Sequence, residues 1–422
     1  MNVGIVGCGA ISGVHARALD EIPDVALAAV ADIVPGRARA LANEYGAAAY
    51  GSLEEMLDRE DIGALHICAP HALHVPMAAM AAERGIAVFT EKPPATTASQ
   101  WESLLGAARA VPVGVCFQNR YNASVQFIRG LLRRQDLGDF LGGRAFVTWS
   151  RNAEYYTQSG WRGSWATEGG GVLINQAIHT ADLLAYFLGR PAMVDARMQN
   201  FHLRDAIEVE DTMEARILFP AAPRAGAKLP AGAGGLDGAK LSAGEMAQAD
   251  AGEQVGAVEP EGANARAGSG QPQMGANAQP GANPPAVGAT AQAGATAQAS
   301  ARDAAGAMAG AGAPVLFYAT TGHCANSPVL LELAYSNATI RLEGESVAVF
   351  LEGRAPELHD FSAAPGGGKD YWGNSHSACI ADFYAAMRAG APPPIGVSQA
   401  DDTVALVLGM YASSKKQAPV GL

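Results

Sequence analysis

An α/β fold that opens on a doubly wound parallel sheet is the architecture this 422-residue sequence predicts, and three observations predict it. Short apolar runs alternate with helical stretches through the first third, a glycine pair directly follows the first run, and an acid closes the second. The runs are VGIVG, VALAAVAD, ALHICAP, IAVFTEK and VPVGVCF. Between them VHARALDEI, PGRARALANEYG, HALHVPMAAMAAERG and TTASQWESLLGAARA read as helices.

Gly7 and Gly9 stand between the first strand and the first helix, the context that a dinucleotide fingerprint requires. Glycine at position 7 permits a tight turn. Gly9, with Ala10 and Ile11 in the same loop, lets the backbone approach a pyrophosphate held by the amides of the helix N-terminus. Ser12 occupies the third glycine position, with Gly13 one later, so the match is imperfect. Asp32 ends the second strand. A carboxylate there accepts hydrogen bonds from the adenosine ribose hydroxyls and repels a 2′-phosphate, favouring NAD over NADP. Arg37 or Arg39 can still reach a phosphate, so NADP stays open.

Farther along, Cys68, Ala69 and Pro70 lie at the carboxyl end of a strand, where ligands sit in open α/β sheets. His71 and His74 begin the next helix, facing either that crevice or solvent. The run ending in TEKPP brings Glu91 and Lys92 to the same sheet edge, where Lys92 either works at a nicotinamide or is a surface lysine. The stretch EGGGVLINQAIHTADLL, Glu168 to Leu184, then reads as an amphipathic helix opened by three glycines. Asn175 and His179, four residues apart, share one face, with Asp182 on roughly the same side. A buried core histidine is the plain alternative for His179.

Composition narrows the class. A formal charge of -12 argues against nucleic acid or an anionic membrane surface as the main partner, and no run is long enough to span a bilayer. The start MNVGIVG goes straight into a strand without the marks of a secretory signal, which leads to an expectation of a cytoplasmic protein. Five scattered cysteines without a CxxC pair fit a reducing compartment, and no metal site is expected. Between Phe219 and Phe317 there is no aromatic residue, and pieces such as GATAQAGATAQASA cannot offset the entropy of ordering them. The flanks DTMEARILFP and VLFYATTG alternate like strands. Residues 221–313 are therefore expected to be a disordered insert of roughly ninety residues in a surface hairpin, which loop-closure entropy tolerates.

GCGAIS, APHALHVP, EKPPATT and GGGVLINQAIHTADLL, in that order, together resemble the glucose–fructose oxidoreductase and inositol dehydrogenase (Gfo/Idh/MocA) family. The tail segments DFYAAMRAGAPPP and MYASSKKQAPVGL resemble its last helices, so the likeness covers nearly everything except the Ala/Gly-rich insert. It implies an N-terminal Rossmann domain, residues 1–118, and a C-terminal α+β domain, residues 119–422, with a large, open, mostly antiparallel sheet. GRAFVTW, VDARMQNF, TMEARILF, VLFYATTG, PVLLELAY and ATIRLEG would be its strands, interleaved with a helix from Gly171 to Leu188. It also implies homodimers or homotetramers through that sheet.

For the site, the resemblance implies Lys92 polarising the reacting oxygen and His179 exchanging its proton, with Asn175 beside them, during hydride transfer between nicotinamide and a secondary alcohol or ketone of a sugar, sugar nucleotide or cyclitol. Asn175 is a departure, because many members carry aspartate there and an amide can only orient substrate. Asp182 either orients His179 or is a helix-surface aspartate. Tyr155, Tyr156, Trp161, Arg162 and Trp165 crowd the preceding loop, either to stack on sugar or to cap the sheet, and Trp161 and Arg162 resemble a family element near the cofactor. Gln118 at the cofactor and Arg120 at the substrate would line the cleft. His376 would approach substrate or cap the last helices. Two rival readings are an NAD-dependent glycosidase of the same fold without net redox change, and a non-catalytic dinucleotide sensor.

Overall fold

The computed structural model describes residues 1–134, 136–220, 312–362 and 375–422, and all but the last two residues of the insert expected at 221–313 lie outside them. The first sheet comprises β1 (Asn2–Val6), β2 (Ala26–Ala31), β3 (Ala48–Tyr50), β4 (Ala64–Ile67), β5 (Ala87–Thr90) and β6 (Val113–Val115). Its order is β3-β2-β1-β4-β5-β6 with every pair parallel, the doubly wound arrangement. β4, β5 and β6 are buried throughout, because a parallel sheet covered by helices on both faces leaves no strand residue facing water. β3 was not among the expected runs; it is a three-residue edge strand with a single flanking neighbour, too short to carry a pattern.

Among the described residues the second sheet has nine strands: β7 (Phe140–Thr148), β8 (Met193–Gln199), β9 (Thr212–Phe219), β10 (Ala313–Thr320), β11 (Leu330–Tyr335), β12 (Ala338–Glu343), β13 (Ser346–Leu351), β14 (Glu357–Asp360) and β15 (Val420–Gly421). The order is β14-β13-β12-β11-β7-β10-β9-β8-β15, antiparallel except where β10 runs parallel to β7. Burial alternates along β10, β11 and β12, so one face is core and the other open. The helices Ile178–Leu188 and Val397–Lys416 pack on the covered face. On the open face Leu316 is 56% exposed, beside Phe146 and Tyr318. β9 and β10 form the expected hairpin, with Phe219 opposite Ala313 and Thr212 opposite Thr320.

The chain beyond residue 375 ties the two sheets together. Helix His376–Arg388 packs on helix Ser12–Asp20 of the first sheet, and Gly396 bridges Gly114 in β6. A buried ion pair adds a polar clamp. Arg120, in the turn after β6, reaches both oxygens of Asp182 on helix Ile178–Leu188 at 2.9 and 2.6 Å, and Thr403 donates to the same carboxylate at 2.7 Å. Removing one member of such a pair strands a buried charge. Asp182→Ala is expected to lose about 3–5 kcal/mol in urea unfolding; a change below about 1 kcal/mol would mean that the clamp is solvated or dispensable.

Candidate active site

At the carboxyl edge of the first sheet, Gly7 has φ +87°, and a Cβ there would meet the Cys68 carbonyl oxygen at 2.6 Å. Glycine is thus demanded by the backbone that leaves the neighbouring strand β4 as well as by the turn. The imperfect third position is explained locally: Ser12 Oγ donates to the Gly9 carbonyl at 2.7 Å and closes the loop that a glycine would otherwise relax. A Cβ on Gly9 would meet nothing within 4 Å, so the loop backbone faces open space. Asp32 accepts from the Cys8 amide at 2.8 Å and from the Val34 amide at 2.7 Å, which fixes its carboxylate against the glycine loop with lone pairs to spare.

His71 and His74 are buried and do not face solvent. His71 Nδ1 donates to the Glu168 carbonyl at 2.9 Å, and Trp161 packs edge-on 4.8 Å from its ring. Both nitrogens of His74 lie 2.8 Å from carbonyl oxygens, those of Pro93 and Ala69. Burial pushes both imidazoles below their ordinary value. Glu91 is held by His15 Nε2 at 2.9 Å, and although burial opposes it, that bond keeps the carboxyl well below the usual carboxylate range. His15 Nδ1 meets His66 Nδ1 at 2.8 Å, and His66 Nε2 meets the Tyr384 hydroxyl at 2.9 Å. This chain of side chains was not anticipated; its members lie 51 and 318 residues apart in sequence, so no local spacing signals it. Lys92 Nζ donates to the Asn175 carbonyl at 2.7 Å. Burial pulls its ammonium below the ordinary value, with Glu91 and Glu168 opposing.

The glycine-opened helix differs from expectation. It is two pieces, Val172–Asn175 and Ile178–Leu188, and the Ala177 amide reaches back five residues to the Val172 carbonyl at the break. The break separates Asn175 from His179 on the helix, yet both line the same cleft. The glycines serve close packing. A Cβ would lie 2.4 Å from Thr96 at Gly169, 2.0 Å from the Tyr411 hydroxyl at Gly170 and 1.9 Å from the Glu210 carbonyl oxygen at Gly171. Glu210 accepts the Gly171 and Leu173 amides at 2.9 and 3.1 Å and the Tyr411 hydroxyl at 2.8 Å. Glu168 accepts the Gly163 amide and the Asn175 side-chain amide. Burial pushes both carboxyls up to about 7. Burial, with Lys92 nearby, pushes the His179 imidazole down to about 3. Its Nδ1 is buried with no hydrogen-bond partner among the described residues, and Gln118 stands 3.5 Å from Nε2.

The glycine loop, Asp32, His71, His74, Glu91, Lys92, Asn175 and His179 line one cleft of about 1010 Å3, walled by both sheets. Every residue expected at the cofactor lies in its lining, as do Asn175, His179 and Arg37; Arg39 does not. Arg120 and Tyr156, expected at the substrate, are elsewhere. Arg120 is consumed by Asp182 and the Gln399 carbonyl, and Tyr156 packs in a satellite core with Leu203, Ile207 and Val209. Neither alternative for Asp182 holds: it is fully buried and bonded to Arg120. Tyr155 lines the cleft instead, with the Arg162 guanidinium 4.5 Å over its ring. His376 both opens its helix and reaches the cleft, 4.0 Å from Glu91. Trp149, Arg151 and Asn326 were missed, because strand ends of the second sheet carry no motif.

The glycine loop, the tethered Asp32 and the open backbone at Gly9 fit a dinucleotide, and the comparisons agree. A family model described as the GFO/IDH/MocA oxidoreductase family, NAD-binding Rossmann fold, matches residues 1–118, and the model of the GFO/IDH/MocA C-terminal domain matches residues 125–227. The chain is 31% identical over 208 residues to D-glucoside 3-dehydrogenase of Escherichia coli K12, covering 48% of this chain and 58% of that protein. It is 30% identical over 146 residues to inositol 2-dehydrogenase of Salmonella typhimurium, covering 33% and 43%. The chain thus spans about half the length of the curated relatives it matches. Among solved structures, the WlbA dehydrogenase from Bordetella pertussis in complex with NADH and UDP-GlcNAcA matches with a TM-score of 0.69 at 22% identity, covering 100% of this chain and 98% of that one. A levoglucosan dehydrogenase in complex with NADH and levoglucosan matches at 0.70 and 16%, covering 100% and 99%. At these identities the likeness is one of fold.

The packing role of the glycines gives a direct test. Gly171→Ala is expected to cost about 1–3 kcal/mol, the usual range for overpacking. Gly13→Ala, where a Cβ meets nothing within 4 Å, is expected to leave the melting temperature unchanged or slightly raised. Equal melting temperatures for the two variants would show that the Gly171 contact relaxes freely.

Proposed function

The chain belongs to the GFO/IDH/MocA oxidoreductase family, and on that premise we propose that it transfers a hydride between NAD and a secondary alcohol or ketone of a sugar, sugar nucleotide or cyclitol. The observation that carries this reading is the meeting, in one cleft, of the Gly7–Asp32 cradle with Lys92 from the first sheet and His179 from a helix on the second. Gly7, Gly9, Ala10 and Ile11 would hold the pyrophosphate and Asp32 the adenosine ribose. Ala69, Pro70, His71, His74, Glu91, Gln118, Trp161 and Arg162 would line the remainder of the cofactor's path. Bound there, NAD supplies the hydride acceptor or donor.

The side chains handle the oxygen and its proton. Lys92 donates to the reacting oxygen and stabilises the alkoxide character that develops as the hydride leaves carbon. His179, kept neutral by burial, accepts the hydroxyl proton during oxidation and returns it during reduction. Asn175, whose carbonyl already holds Lys92, orients a neighbouring hydroxyl. Tyr155, which lines the cleft, takes the place first given to Tyr156 in contacting the sugar.

Residues 1–118 act in this reading as the dinucleotide-binding domain and 119–422 as the substrate and assembly domain. The open face bearing Leu316, Phe146 and Tyr318 supports homodimers or homotetramers. Unpaired cysteines at Cys8, Cys68, Cys116, Cys324 and Cys379 support a reducing cytoplasm. Among the described residues no helix is long and apolar enough to cross a membrane.

Fluorescence titration should give tighter binding of NADH than of NADPH, and Asp32→Ala should erase the preference. Tighter NADPH binding in the unaltered chain would assign the pocket to Arg37. In a turnover screen with sugars and cyclitols, Lys92→Ala should lower kcat/KM by about 10²–10³ while NADH affinity is little changed. Loss of NADH binding in that variant would make Lys92 a structural residue. His179→Gln should lose about 10²–10⁴ in kcat.

A further inference from the structure

Glu168 has no solvent exposure, and nothing in the hydride-transfer scheme uses it. One carboxylate oxygen, Oε2, accepts the Gly163 amide at 2.6 Å; the other, Oε1, accepts the side-chain amide of Asn175. Asn175 is therefore gripped twice, by Glu168 at its amide nitrogen and by Lys92 at its backbone carbonyl, 2.7 Å away. With Nδ2 committed to Glu168, the side-chain oxygen of Asn175 is left for the cleft it lines. Lys92 and Arg162, also in that lining, carry donors only, so a hydroxyl presented to them needs an acceptor for its own proton, and Asn175 Oδ1 can be that acceptor.

We propose that Glu168 is a positioning residue whose ionisation decides which end of the Asn175 amide faces the substrate. The inference rests on the cleft being the hydride-transfer site proposed above. As a carboxylate, Glu168 accepts two N–H groups and holds Asn175 Oδ1 toward the cleft. A protonated Glu168 must donate. The Gly163 amide is a backbone donor that cannot invert, so the proton sits on Oε1, facing the one neighbour that can exchange donor for acceptor by turning over. Asn175 then turns its oxygen to Glu168 and its Nδ2 to the cleft.

The groups around Glu168 set where this happens. Glu210 and Tyr411 pack against the glycine triplet, Tyr156 comes from the satellite core, and Arg162 and Lys92 line the cleft. His71 donates to the backbone carbonyl of Glu168 itself. Burial and Glu210 raise the carboxyl, while the Gly163 and Asn175 hydrogen bonds and Arg162 lower it, leaving it at about 7. Substrate binding should therefore strengthen as pH rises through neutrality.

The test follows the side-chain amide of Asn175 by NMR in the full chain from about pH 5.5 to about pH 8.5, with Glu168→Gln beside it. In the unaltered chain the Asn175 resonances should move with one midpoint near neutrality. In Glu168→Gln, which always presents a donor, they should stay at the low-pH position. Steady-state assays should show KM falling about three- to tenfold across the same range with kcat less affected, and a pH-independent, high KM in Glu168→Gln. Asn175 resonances that do not move in the unaltered chain overturn the proposal even if the variant fails to fold, as do resonances that move identically in the variant. An active enzyme with an unmoving Asn175 would sink this inference alone. No turnover with any sugar or cyclitol, with the Asn175 titration intact, would sink the oxidoreductase reading and leave the Glu168–Asn175 device standing.

Discussion

The cleft depends on one buried ion pair. Arg120 stands two residues beyond Gln118 in the turn after β6, and Asp182 three residues beyond His179 on the helix that covers the second sheet. Their bond locks the turn carrying Gln118 to the helix carrying His179, and so sets the distance between the two walls. Burying both charges is costly, and the cost is offset by the bonds they make: two from the fork to the carboxylate, one from Thr403 to the same carboxylate, and one from the guanidinium to the Gln399 carbonyl. An apolar contact would hold the helices together as well, but it would slide. The fork has one register, and a site assembled from two sheets needs one register.

The first half of this arrangement was legible because it is local. A strand, two glycines, a helix and an acid about one βα unit later are consecutive in sequence, and their geometry follows from backbone rules. The same holds for Lys92, which a strand end delivers to the sheet edge. What the sequence hid were choices made by side-chain direction and by distant partners. Tyr155 and Tyr156 are adjacent, yet one faces the cleft and the other a small core, because neighbouring residues in a short helix point to different sides. Arg120 looked like a substrate ligand until its carboxylate partner, 62 residues away, was seen. The helix break at Gln176 carries no proline, so pattern alone ran the helix through it.

The edge strands show a different limit. β13, β14 and β15 were not foreseen: β14 and β15 are short, and both stand at the ends of the sheet, where neighbouring strands enforce little pattern. The glycine triplet was read as a helix start, and it does precede one. Its composition, however, answers to Thr96, Tyr411 and Glu210, each pressing on one of the three glycines. Sequence shows that glycine is present; only the neighbours show what it makes room for.

The burial of so many ionisable groups reverses the usual order in which they take up protons. His66, His71, His74 and His179 are all pushed below the ordinary imidazole value, whereas Glu168 and Glu210 rise to about 7. Near neutrality these two carboxyls titrate and these imidazoles do not. For the histidines the unfolded chain binds protons that the folded one refuses, so their contribution to stability is lost as pH falls from 6.5, for His179 down to about 3. For Glu168 and Glu210 the folded chain keeps protons that the unfolded one releases, so stability is lost as pH rises from 4.5 to about 7. The two slopes have opposite signs and overlap between 4.5 and 6.5. Across mild acid this core therefore carries two opposed pH dependences, its buried bases favouring the fold as pH rises and its two raised acids favouring it as pH falls.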